Sequence, residues 1–346
     1  MFKYLRWALL FTVIGLCLAF WVGYRNEGSM AEGFSFLLIG AVLAVLEISL
    51  SFDNAIVNAN KLKDMTPVWQ RRFLTWGILI AVFGMRIIFP LAVVSIAAHI
   101  NPWAAVILAA NDPGEYARIM EEAHLSIAAF GGTFLMMVGL SFFLDEDKDI
   151  HWVRILEERL HSWASIRGLE IAFVLSIVLL FKVNLPEQDG NRFLFAAIGG
   201  LLTYLAVDVL GHVLDASKEA KAGAATGGFG AFLYLEVLDA SFSFDGVIGA
   251  FALTQNLFLI AIGLGIGAFY VRSMTIMLVE KQTLAEFRYL EHGAFYSILA
   301  LSVFMFTQSI MHVSEMITGL TGVCLIGLAL YSSIRHNRVA EQSGGH

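Results

Sequence analysis

Long apolar runs separated by short polar stretches dominate the chain. The runs predict ten membrane-spanning helices, over about 6–24, 33–58, 73–98, 124–144, 167–183, 191–212, 229–254, 257–279, 292–311 and 315–334. A run of roughly 18 or more apolar residues is long enough to cross the hydrocarbon core as a helix. Two runs are interrupted by polar side chains in the same order. The second holds Leu46-Glu47-Ile48-Ser49-Leu50-Ser51-Phe52-Asp53-Asn54-Ala55-Ile56, and the seventh holds Leu238-Asp239-Ala240-Ser241-Phe242-Ser243-Phe244-Asp245-Gly246-Val247-Ile248. A charged side chain at bilayer depth costs roughly 2.5–3.5 kcal/mol on insertion scales, so acids kept there in duplicate point to function.

The copies lie five spans apart, and an odd offset makes them cross in opposite directions. The expected fold is an all-α polytopic membrane protein of about ten helices. It would be a 5+5 inverted-topology repeat with a pseudo-two-fold axis in the membrane plane and broken helices at its centre. Residues 1–183 form the first repeat, 191–335 the second, and 336–346 a disordered tail. Each signature span is followed by one holding an arginine, Arg86 and Arg272 respectively. On a continuous helix, residues three, four and seven apart share a face. Glu47, Ser51, Asn54 and Asn58 then make one polar stripe, with Asp53 pointing elsewhere; Glu236, Asp239, Ser243 and Gly246 make another, with Asp245 off it. Short polar side chains compete for the helical backbone, which predicts local unwinding near both copies.

Charge sets the orientation. Sixteen of the 22 lysines and arginines fall in alternate connections with the two ends of the chain, from Lys3 and Arg6 to Arg335 and Arg338; only Arg25, Arg118, Lys182 and Arg192 fall opposite. Basic residues favour the cytoplasmic side, so both termini are expected there, with the protein in the plasma (inner) membrane. The first run could pass for a signal peptide; the repeat requires it as a retained helix. The stretch 145–165 alternates acids with Trp152, Ile155, Leu156 and Leu160, which predicts an amphipathic helix on the cytoplasmic surface. Residues 220–230 are small and Gly-rich, a flexible connector.

Composition agrees. The chain is 58% hydrophobic and 15% charged with a mean hydropathy of +0.74, far from the balance of a soluble domain. The net charge of −7 in a lipid-embedded chain suits a cation and gives no sign of nucleic acid. Cys17 and Cys324 sit in apolar runs and are expected to be small core residues, with no disulfide framework and no thiolate site.

Acids, amide and serines brought together by the two-fold axis would form an all-oxygen site. Hard divalent cations (Mn²⁺, Ca²⁺, Mg²⁺) take such ligands, while Zn²⁺ and Cu⁺ favour sulfur or imidazole. Arg86 and Arg272 either neutralise site acids as structural ion pairs or act as a substitute cation when metal leaves. Asp208 and His212 are read as capping the cytoplasmic end of the sixth span, with a proton relay as the alternative. Met136, Met137, Met274 and Met277 are read as packing. No enzyme motif of the HExxH or GxSxG type is present, no organic cofactor is implied, and the protein is not expected to be an enzyme.

At the signature residues the sequence resembles the TerC family of integral membrane proteins. Ser-Phe-Asp-Asn-Ala-Ile at 51–56, Ser-Phe-Asp-Gly-Val at 243–247 and the Gly-x-x-x-x-Arg helices that follow carry the likeness, and stretches such as 201–217 and 278–296 look like a branch long filed as a domain of unknown function. The resemblance implies kinship with cation exporters, a role in manganese efflux or tellurite resistance, and a metal site at Glu47, Asp53, Asn54, Asp239 and Asp245. Ser51, Ser243, Glu236, Arg86, Arg272 and Asp208 would support it. Gly246 stands where the first copy has Asn54, so the halves cannot be equivalent ligand sets. The expected function is export of Mn²⁺ or a similar hard dication by proton antiport, with a Ca²⁺ transporter of the same architecture or a non-transporting membrane scaffold as alternatives.

Overall fold

The computed structural model describes residues 2–63, 65–77, 80, 84, 87–145, 148–163, 165–166, 168–219, 228–254, 256–281, 286–311, 313 and 315–343. Among them are fourteen α-helices and no strand. In chain order these are α1 (Phe2–Glu27), α2 (Met30–Leu50), α3 (Phe52–Lys63), α4 (Pro67–Arg72), α5 (Phe89–Ala97), α6 (Pro102–Asn111) and α7 (Pro113–Phe143). Then come α8 (Arg154–Trp163), α9 (Leu169–Asn184), α10 (Glu187–Glu219), α11 (Phe229–Leu253), α12 (Leu257–Glu280), α13 (Leu290–Gln308) and α14 (Glu315–Ser343). A π-helical turn over Phe73–Gly77 follows α4.

Local chemistry places the helix starts. The side chains of Asn101, Asp112 and Asn256 accept hydrogen bonds from the backbone N–H groups of Ala104, Glu115 and Leu259, and Pro102 and Pro113 occupy first-turn positions where no N–H is missed. Seven helices among the described residues are long and apolar enough to cross a membrane: α1, α2, α7, α10, α12, α13 and α14. At 21 residues α2 is about 31 Å long, one hydrocarbon thickness. Three expected spans fall outside this set for different reasons. Helix α9 has 16 residues. Helix α11 has 25 but carries Glu236, Asp239 and Asp245. The run 73–98 is divided between the π-helical turn, α5 and residues outside the described set.

Trp7, Val13, Trp21, Phe34, Leu38 and Phe195 project from the outside of the bundle, as lipid-facing side chains do. Cys17 and Cys324 share that exposed surface rather than the core expected for them, because their helix faces point away from the bundle. The main core joins α3, α7, α9, α10, α11 and α13 and includes Met136 and Met137 as packing; a smaller core lies between α2, α5, α6, α11 and α12. Helix α3 lies against both α12 and α13. Most of its residues are buried, Asp53, Asn54 and Asn58 among them, while Lys61 and Lys63 at its end are exposed.

The connections expected on the cytoplasmic side meet at one end of the bundle. The Tyr4 hydroxyl bonds Glu280. Lys63 Nζ lies 2.9 Å from Glu291 Oε1. Arg288 meets His336 at 2.7 Å, and Asn337 Nδ2 donates to Glu286 O at 2.9 Å. Those last two contacts also explain why α14 runs on to Ser343, through most of the tail expected to be disordered.

The amphipathic stretch 145–165 forms the shorter helix α8, and its deepest residue is an acid. Glu157 is fully buried, while Ile155 is 77% exposed. Lys148 Nζ (2.9 Å), Trp152 N (3.2 Å), Val153 N (3.0 Å) and Tyr296 OH (3.0 Å) all donate to the Glu157 carboxylate, and His292 Nε2 lies 3.3 Å away. Burial would push this carboxyl up, but hydrogen bonds from His292, Lys148 and Val153 N outweigh it and hold it well below the usual carboxylate range. Helix α8 is therefore fastened to α13 through a satisfied buried charge.

Candidate functional site

Unwinding was expected near both signature copies, and the helix breaks at the first copy but not at the second. The first copy has one non-helical residue, Ser51, at φ −104° and ψ 15°. The hydrogen-bond ladder crosses it, with Ser51 N bonding Glu47 O at 3.0 Å and Ala55 N bonding Ser51 O at 3.2 Å. The second copy runs unbroken inside α11. The hydroxyls have partners of their own: Ser51 Oγ donates to Glu47 Oε1 at 3.1 Å, and Ser241 Oγ donates back to Val237 O at 3.0 Å.

Glu47 and Asp53 point in different directions, as the helical spacing predicts. Glu47 is buried against the second copy and the helix after it. A Cβ added at Gly246 would sit 2.8 Å from Glu47 Oε2, and one at Gly267 would overlap Glu47 Cγ. Only glycine lets α11 and α12 close around this carboxylate. Asp53 turns toward α13 and α14. Ser297 Oγ donates to Asp53 Oδ2 at 2.7 Å, and Asn54 N donates to Oδ1 at 2.9 Å.

Beside Asp53 lies a cavity of about 20 Å³, lined also by Ser49, Gly246, Ser297, Thr318 and Gly322. One water-sized particle needs roughly 10–15 Å³ on this measure, so the cavity holds one such particle. Thr318 Oγ1 is buried there without a hydrogen-bond partner, and so is Asn54 Oδ1 nearby on α3. Ser297, Thr318 and Gly322 come from α13 and α14. The sequence reading missed them, because an isolated serine, threonine or glycine in an apolar span carries no local signal.

Asp239 does not line this cavity. Its Oδ1 accepts a 2.9 Å hydrogen bond from Asn58 Nδ2, a cross-link from α11 to α3. One helical turn from Asp239, Glu236 is 7% exposed and neither carboxylate oxygen has a hydrogen-bond partner. Its nearest constraint is Gly77 in the π-helical turn, where a Cβ would meet Oε1 at 2.8 Å. Two other contacts fix the register of α3 and α11. Asp53 and Gly246 share the cavity, and Lys61 Nζ lies 5.5 Å over the Tyr234 ring. Numbers rise along α3 as they fall along α11, so the two helices run antiparallel.

Arg272 is half-buried on α12; its Nε has no hydrogen-bond partner, and it makes no ion pair among the described residues. Arg86 lies outside the described residues, as do the side chains of Ser243, Asp245 and His212. Asp208 caps no helix end, since α10 continues to Glu219; it lines a cleft of about 420 Å³ together with Asn60, Lys61, Asp145, Tyr204 and Tyr234. A second cleft, of about 990 Å³, lies at the other end of the bundle beside Glu121, Asp189 and Gln308. Among the described residues, no group of three or more His, Cys, Asp or Glu side chains could hold a metal ion. The wall of the cavity at Asp53 combines the hydroxyls of Ser49, Ser297 and Thr318 with the apolar Leu50, Phe242, Leu301 and Ile326.

No curated protein and no solved structure matches the chain. One protein family matches residues 52–340, a stretch that holds Asp53, Asn58, Ser297 and both acids of the second copy and begins just after Glu47. That match spans most of the chain, and the protein belongs to the family described as "Protein of unknown function (DUF475)".

Proposed function

We propose that the protein is a membrane transporter that exports a hard divalent cation, Mn²⁺ foremost, through the cavity at Asp53. The observation that carries this is a buried space for one particle, walled by a carboxylate, hydroxyl oxygens and the second signature copy. A space of that size with a carboxylate and three hydroxyls in its wall offers hard oxygen ligands to a dication stripped of most of its water. Asp53, Ser297 and Thr318 offer oxygens at the cavity itself; Glu47, Asn54, Asp239 and Asp245 are assigned to the ion on the strength of the signature, Asp245 lying outside the described side chains. The resemblance of the signature to the TerC family supports the same substrate class.

In this reading the two copies belong to a 5+5 inverted repeat with both termini in the cytoplasm and the protein in the plasma membrane. The antiparallel course of α3 and α11 and the gathering of basic connections at one end support it. Carboxylates that release a dication take up protons, so export is coupled to proton entry. The scaffold alternative, in which arginines lock the acids, is disfavoured by Arg272, which pairs with none of the described ones.

The test is Mn²⁺ flux into vesicles reconstituted with the purified protein, driven by a pH gradient. Wild type is expected to transport, and Asp53→Ala and Asp245→Ala are expected not to. Equal flux through wild type and Asp53→Ala would end the reading.

A further inference from the structure

Helix α8 is turned the opposite way from a surface helix of a soluble protein. Ile155, Leu156 and Trp163 are 77%, 47% and 52% exposed, while Glu157 is fully buried. At about 100° per residue, Ile155, Arg159, Trp163 and Leu156 share an arc of about 100°, and Glu157 lies about 150° from the middle of it. Beside Glu157 on the inner face, Leu160 packs on the main core and the His161 ring lies 5.6 Å from His151. The rotation of the helix is fixed from that side, because Lys148 and Trp152 N just before α8 and Tyr296 on α13 all donate to Glu157. The large apolar side chains are thereby held away from the bundle.

The helix sits at the level where the membrane-crossing helices end. Lys148 Nζ lies 4.6 and 4.4 Å from the ring centres of Phe142 and Phe143, the last two residues of α7. His292 Nε2 bonds Ile150 O at 2.7 Å, and Tyr296 OH bonds Glu157 Oε1 at 3.0 Å. Both side chains belong to the first two turns of α13, within about 10 Å of its start. At 19 residues α13 is about 28 Å long, so its ends lie at the edges of the hydrocarbon core. The exposed apolar surface also continues past α8. Ile166 is more than half exposed, α9 begins at Leu169, and Phe173, Leu180 and Val183 on α9 are more than half exposed as well.

The composition of the outward face fits lipid better than protein. Arg159 is exposed in the middle of the apolar arc. A guanidinium there would be stranded in a protein interface, whereas at a bilayer surface it snorkels to the phosphates. Trp163 suits the same boundary, where indole rings concentrate. The face is also small. A ten-residue helix is about 15 Å long and about 10 Å wide, well short of the roughly 800 Å² per partner that a stable interface between copies takes. We propose that the outward face of α8 is seated in the headgroup layer of the leaflet around the ends of α7 and α13. Ile155, Leu156, Trp163 and Ile166 enter the acyl boundary and Arg159 binds lipid phosphate. This placement does not depend on what the cavity at Asp53 takes.

Electron paramagnetic resonance of spin labels tests it. Cys17 and Cys324 are replaced by serine in the full-length protein, and a nitroxide is attached to Ile155→Cys, Trp163→Cys or, on the polar edge beside Arg154, Glu158→Cys. The protein is reconstituted in vesicles of phosphatidylcholine and phosphatidylglycerol. Collisions are measured with oxygen, which enters the acyl region, and with a water-soluble nickel chelate. The oxygen-to-nickel ratio at Ile155 and Trp163 is expected to be at least threefold that at Glu158. Leu156→Cys replaces Trp163→Cys if the latter loses its monodisperse profile. Arg159→Glu is expected to lower the ratio at Ile155 at least twofold, and Arg159→Lys to keep it. Ratios at Ile155 and Trp163 less than threefold that at Glu158 would put the face in water and overturn the proposal. So would a ratio at Ile155 that Arg159→Glu lowers by less than twofold. Shielding from both reagents, with spin–spin broadening that vanishes on dilution with unlabelled protein, would assign the face to a second copy of the chain instead.

Discussion

Ser297 Oγ donates a 2.7 Å hydrogen bond to Asp53 Oδ2, and its chain neighbour Tyr296 donates one of 3.0 Å to Glu157 Oε1. Two consecutive residues of α13 thus hold the acid of the cavity and the acid that docks α8. Ser297 fixes which way Asp53 presents its second oxygen. Groups that orient a metal ligand typically contribute 10–100-fold in affinity. Ser297→Ala is expected to weaken Mn²⁺ binding by about that factor, while Ser297→Thr keeps the hydroxyl and stays near wild type. Calorimetric titration of the detergent-solubilised protein reads this directly.

Gly322 gives a prediction about space rather than orientation. A Cβ there would sit 2.7 Å from Ser297 Oγ and 3.9 Å from Asp53 Oδ2, in the wall of a cavity of about 20 Å³. Gly322→Ala removes most of the room for one particle. Overpacking of this kind costs roughly 1–3 kcal/mol, which leaves a folded protein. The expected outcome is a monodisperse variant with Mn²⁺ flux at least tenfold down, checked by size-exclusion profile and vesicle flux together.

Helical spacing alone foretold that Glu47 and Asp53 would diverge and that Glu47 and Ser51 would meet, because i,i+4 neighbours touch whatever the tertiary context. Asn58 fell on the same stripe, but its partner Asp239 lies 181 residues away and no local pattern names it. The helix-breaking reading holds at Ser51, between α2 and α3, and fails in α11 for a tertiary reason. Helix α11 is packed closely by Glu47 of α2 at Gly246 and by Gly131 of α7 at Ser241, which leaves it no room to unwind. The amphipathic reading of 145–165 found the helix but not the burial of Glu157, since a carboxylate with five donors around it can be buried more deeply than the leucines beside it.

Glu236 is a buried carboxyl with both oxygens unsatisfied, and such a group is costly to keep. Retention of a costly group inside a span points to use rather than to stability. Glu236→Gln is expected to melt at the same temperature as wild type or up to several degrees higher, while lowering pH-driven Mn²⁺ flux at least fivefold. A variant that melts lower and transports normally would show the carboxyl to be structural.

The Glu157 cluster makes the last prediction, which concerns the attachment of α8. Lys148 and Glu157 are 8% and 0% exposed at their side chains, so screening by water is weak. Removing one partner of a buried pair costs roughly 3–5 kcal/mol, largely because the other charge is stranded. Glu157→Gln is therefore expected to destabilise strongly, and Lys148→Met added to it to recover a large part of the loss, so that the two changes are not additive. The pH dependence follows from the direction of the shift. The folded carboxyl titrates below its ordinary value of 4.5, so its contribution is fully present above that value and drains away as pH falls beneath it. Between pH 5 and pH 8 the docking should hold. As pH falls well below 4.5, toward the much lower range where the folded carboxyl takes up its proton, Trp152, packed 5.7 Å from Tyr296, should become progressively solvent-exposed. Its fluorescence should shift to the red there, and should already be shifted at neutral pH in Glu157→Gln.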